Sequence, residues 1–81
     1  MDEELLKMTN EEYDDAIVGI ASVWQQNQKV ETLIYSGEKL VEIFVNEGIT
    51  EEDAIEHISI NMEGAYVGLS TPIIMWNYHE Q

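Results

Sequence analysis

Cysteine and arginine are absent from this chain, proline occurs once, at Pro72, and phenylalanine once, at Phe44. Without cysteine there is no disulfide and no thiolate metal site, which suits a reducing compartment. Three lysines (Lys7, Lys29, Lys39) face seventeen acidic residues, so 81 residues carry a formal charge of −14. That balance repels phosphate backbones and argues against direct nucleic-acid binding. It repels anionic membrane surfaces equally, and no run is long and apolar enough to span a bilayer. The first residues, MDEELLKMTNEEYDD, are acidic where a secretory leader would be basic and then apolar. The expectation is a cytoplasmic protein with no membrane association.

What is present describes a small folded domain. A hydrophobic content of 44% argues against disorder, yet a chain this short lies near the lower limit for folding alone and relies on good packing or a second subunit. Residues 1–15 hold seven of the seventeen acids and read as an acidic N-terminal arm or short helix, with Thr9 and Glu12 at capping-box spacing. Residues 16–81 read as a single α+β domain. Ile17, Ile20, Ala21 and Trp24 fit a helical stripe, but Val18, Val23 and Gly19 weaken a helix. The polar interruption Gln25-Gln26-Asn27-Gln28 reads as a turn and Val30 to Tyr35 as a β-branched, aromatic strand. The balance favours a β-hairpin, with strands near 16–24 and 29–35.

Ser36 is placed to cap a helix with Leu40, Val41, Phe44 and Val45 inward, and Gly48 to stop it. Thr50 opens a second helix with Ala54, Ile55, Ile58, Met62, Ala65 and Tyr66 on one side. Pro72 then starts a strand over Ile73–Tyr78. The expected order is α-β-β-α-α-β: a three-stranded antiparallel sheet packed on one face by two main helices. The other face then needs cover, and Trp24, Tyr35, Trp76 and Tyr78 are candidates to share it, which would make the protein a homodimer or expose a binding surface.

The run TEEDAIEHISINMEGAYVGLSTPIIMW, from Thr50, resembles the C-terminal half of a group of small uncharacterised acidic proteins of tailed bacteriophages. Asp53-Ala54-Ile55-Glu56, Asn61, Gly64-Ala65-Tyr66, Val67-Gly68 and Thr71-Pro72-Ile73 carry the resemblance, with AIVGIASV and IYSGEKLVEI upstream matching more loosely. Asp53 stands where that pattern usually has Glu, and Leu69 where it tends to have an acid. The resemblance implies an accessory protein acting in the host bacterial cytoplasm and labels no activity. Asn61, Gly64, Tyr66, Gly68 and Pro72 have a structural explanation as a helix-to-strand turn: Asn bonding local backbone, glycines allowing close approach and a positive φ, Tyr anchoring with a buried ring.

Chemistry has little footing. His57 and His79 are the only histidines, adjacent Glu56 and His57 point apart on a helix, and no serine has an activating context. There is no P-loop or dinucleotide fingerprint. The expectation is no enzyme, no cofactor and no metal. The favoured reading is a protein that binds another protein, host or phage, with an inhibitory or anti-defence outcome. Glu42, Glu52 and Glu56 would attract a basic partner, and Trp24 and Trp76 would supply apolar contact. Alternatives are a structural homodimer with no host target, a DNA mimic whose carboxylates imitate phosphates, and a small metal- or ligand-dependent enzyme.

Overall fold

A computed structural model describes residues 7, 8, 11–63 and 70–78. A 3-10 turn over Glu11–Ala16 leads into strand β1 (Ile17–Gln25) and strand β2 (Gln28–Ser36), followed by helix α1 (Gly37–Asn46), helix α2 (Glu51–His57), a π-helical turn over Ile58–Glu63 and strand β3 (Ile73–Met75). The architecture is α+β, and the sheet order is β1-β2-β3.

The hairpin forms as its residues dictate. Gln26 and Asn27 take positive φ, 51° and 66°, the geometry of a two-residue type I′ turn whose twist matches the flanking strands. Gln25 therefore faces Gln28, and the register runs through Val23↔Val30 and Ala21↔Thr32 to Ile17↔Tyr35, with a bulge between Ile17 and Gly19. Residues paired across antiparallel strands share a face. Ile20, Leu33, Tyr35 and Ile17 thus lie on one side, and Ala21, Val23, Val30 and Thr32 on the other.

Both helices start where a side chain satisfies a free backbone donor. Lys39 N donates to Ser36 Oγ at 3.2 Å and Asp53 N to Thr50 Oγ1 at 3.2 Å, each cap stabilising by about 1 kcal/mol. Gly48, at φ 100°, ends the first helix in the left-handed region where glycine has no Cβ penalty. Leu40, Val41, Phe44, Ala54 and Ile58 pack with Ala16, Leu33 and Tyr35 into the core. Val45 and Ile55, expected inward, are exposed, and Ile43 and Ile49 pack against the core instead. The second helix continues past His57 as wide π turns. These bring residues four apart closer to alignment, which keeps Ala54, Ile58 and Met62 on the core side.

The strictly antiparallel sheet is the main correction. β3 runs parallel to β2, pairing Ile34↔Ile73, Tyr35↔Ile74 and Ser36↔Met75. Thr32 shows why. Its buried hydroxyl donates to the carbonyls of Ser70 and Thr71 at 3.0 and 2.6 Å, so the chain enters beside Thr32 and then travels with β2 toward Ser36. A parallel pair needs a long crossover, and residues 37–72 supply it. β3 is also shorter than expected, ending at Met75 rather than Tyr78.

Candidate functional site: two exposed surfaces

The helical half carries eight of the seventeen acids. Glu42 on α1 and Glu51, Glu52, Asp53 and Glu56 on α2 are exposed. Glu52 and Glu56 lie four residues apart and so share a helix face. The three acids in the first turn of α2 also suit the positive end of its dipole. Of the cations, Lys7 pairs with Asp14 at 3.6 Å. Glu47 hydrogen-bonds Glu12, and that bond, then partial desolvation, then the like charge of Glu12 raise the Glu47 pKa above its ordinary value of 4.5. Two carboxyl groups share such a bond only when one holds a proton. Among the described residues no three His, Cys, Asp or Glu side chains converge to hold a metal, and no helix is long and apolar enough to cross a membrane.

The hairpin is the opposite surface. None of the seventeen acids falls between residues 16 and 30. Trp24 is 74% exposed and Ile20 55%. Both lie on the helix-facing side of the sheet, beyond the reach of the helices, which cover the Tyr35 end.

The four strand aromatics do not gather on the uncovered face. Tyr35 is fully buried in the core, where its hydroxyl accepts a hydrogen bond from Met8 N at 3.0 Å and ties down the N-terminal segment. Trp76 follows β3 and packs back on α1. Its six-membered ring lies so close to Gly37 that an added Cβ there would sit 2.6 Å from three ring carbons. Trp76 Nε1 donates to Glu63 Oε2 at 2.5 Å, and the next residue, Asn77, donates its N–H to the Glu38 carboxylate at 3.1 and 3.3 Å. Trp76 thus latches the end of β3 to the start of α1, leaving it 37% exposed. Tyr78 is 88% exposed. The face opposite the helices is aliphatic instead: Val30 and Thr32 are buried there, Val23 and Ile34 are half-buried, and Ile73 and Met75 are the more exposed side chains.

Of the proposed turn residues, Gly64, Tyr66 and Gly68 lie outside the described residues. Pro72 stands directly before β3, as expected. Asn61 is exposed, and its Nδ2 lies 3.2 Å from His57 Nδ1, a side-chain pair along the helix; the turn whose backbone it was expected to bond lies outside the described residues. His57 in turn sets its ring edge-on to Phe44, centroids 5.0 Å apart. Sequence reasoning did not single out Ile20 as a surface residue; it noted Ile20 only in the helical stripe that the hairpin reading set aside. The signal that could have found it was the length of the uncharged strand, which overshoots what two short helices can cover. No family model matches this chain, and no curated protein or solved structure matches it.

Proposed function

We propose that the protein acts by binding a basic protein partner through the outer surface of its two helices, with Glu42, Glu52 and Glu56 at the contact. The observation that carries this reading is the concentration of exposed carboxylates there: Glu42, Glu51, Glu52, Asp53 and Glu56 all face solvent, on a chain of charge −14. Such a field speeds encounter with a positive surface and selects against anionic ones. The resemblance to small phage proteins supports a setting in the host bacterial cytoplasm and a role as an accessory factor that inhibits or redirects its target.

The test compares capture from bacterial lysate by the wild-type protein and by the triple variant E42Q/E52Q/E56Q, at salt concentrations of about 50 and 500 mM. The Debye length falls severalfold across that range. A specific protein retained at low salt, released at high salt and lost with the triple variant supports the reading. Capture indifferent to both salt and the substitutions overturns it.

A further inference from the structure

The two edges of the sheet are built differently. β3 is three residues long, is preceded by Pro72, and ends where Trp76 and Asn77 fold back onto α1 and Glu63. Short length and proline are the ordinary devices that keep an edge strand from pairing with another chain. β1 has neither. It runs for nine residues, IVGIASVWQ, without a charge or a proline, and no described strand pairs on its outer side. Its one irregularity, the bulge, is confined to the Ile17–Gly19 end.

The turn determines which backbone groups are open. A two-residue hairpin closes on a hydrogen-bonded pair, here Gln25↔Gln28. Hydrogen-bonded and non-bonded residues alternate along an antiparallel strand. Gly19, Ala21, Val23 and Gln25 therefore spend their amides and carbonyls on β2, while Ile20, Ser22 and Trp24 aim theirs outward. The same three residues share one sheet face, and two of them are large exposed hydrophobes, Ile20 at 55% and Trp24 at 74%.

We propose that this edge pairs with β1 of a second copy, antiparallel, about a two-fold axis at Ser22. A two-fold contact requires a patch that complements itself, and this strand does so. With Ser22 opposite Ser22, each Ile20 stands opposite the other copy's Trp24, an aliphatic–aromatic cross-strand pair made twice. The outward amides and carbonyls of Ile20, Ser22 and Trp24 are then all matched, and the bulge at Val18 falls outside the ladder. Charge also selects the occupant. Two chains of −14 repel one another, and residues 16–30 form the stretch of surface where they can touch without opposing carboxylates. Salt therefore strengthens this contact by screening the long-range repulsion, whereas it weakens the binding of a basic partner at the helices.

Sedimentation velocity across a concentration series, at about 50 and 500 mM salt, tests the pairing alongside residue-level amide exchange. The expected result is a dimer that tightens at high salt, in which the amides of Ile20, Ser22 and Trp24 become protected with rising concentration. The amides of Ala21 and Val23 stay protected at every concentration, because they bond within the hairpin. Ile20→Lys should raise the dimer dissociation constant at least tenfold. Ser22→Pro should do the same by removing an outward N–H that the monomer does not use; circular dichroism and the Ala21 and Val23 protection verify that both variants keep the hairpin. A monomer at hundreds of micromolar, free exchange at Ile20, Ser22 and Trp24 at all concentrations, or a dimer that survives both substitutions overturns the proposal. E42Q/E52Q/E56Q leaves this dimer intact, so failure here and failure of the helix-surface reading are told apart.

Discussion

The hairpin tip and the helical half use their apolar residues in different ways. In the helical half, Leu40, Phe44, Ala54 and Ile58 are withdrawn from water, and carboxylates share the exterior with Val45, Ile55 and Ile60. At the hairpin tip acids are missing, Lys29 is the one charge, and Ile20 and Trp24 face outward. The first region holds more of the buried side chains, and the second the more exposed of the two tryptophans. Helices of ten and seven residues do not reach along the whole of a nine-residue hairpin, so among the described residues one end of the sheet lies beyond them.

That contrast breaks most readily in the core. Leu40→Ala removes a fully buried side chain and should lower the unfolding free energy by about 2–5 kcal/mol, read by urea denaturation. A loss below about 1 kcal/mol would mean the helices are not the stable half. Gly37→Ala places a methyl against the Trp76 ring. Overpacking of this kind costs about 1–3 kcal/mol, and displacement of the indole should change tryptophan emission relative to a Trp24→Phe background. Unchanged stability and emission would show that Trp76 does not latch β3 to α1.

Trp24→Ala makes the opposite case. In dilute protein, below the concentration of any dimer, it should alter stability by less than about 0.5 kcal/mol, as surface substitutions do. A larger loss would place Trp24 in the monomer's packing. The smallest effect expected is a pH slope. Because the folded-state pKa of Glu47 is raised, the native protein binds this proton more readily than the unfolded chain. The stability associated with it is full below the ordinary value of 4.5 and is lost as pH rises through the raised value. Glu47→Gln should remove that decline, giving a flatter stability curve than wild type between weakly acidic and neutral pH in thermal melts. Parallel curves would show that the Glu12–Glu47 bond does not persist in solution.

Much of this architecture was legible in the residues because its signals are local. The Gln25–Gln28 turn, the Ser36 and Thr50 caps and the Gly48 stop each act within one turn of chain, and each lies where the sequence placed it. The inward stripes were legible except at their margins, where Val45 and Ile55 fell outside the arc that the sheet covers. The partition of the aromatics was not legible. Whether Tyr35 or Trp76 is core, latch or surface depends on partners twenty-seven residues away, at Met8, and thirteen away, at Glu63.

The sequence by itself determined a hairpin, two capped helices and a late strand, because turn chemistry, capping and hydrophobic period depend on near neighbours. It also determined the segregation of charge, since a fifteen-residue stretch without acid stays so in any fold. Only the tertiary structure decided the direction of β3, because alternating apolar residues read the same both ways until the Thr32 hydroxyl meets the carbonyls of Ser70 and Thr71. It alone decided that Trp76 closes on Gly37 while Trp24 stays in water, since burial of a side chain depends on which distant elements pack over it.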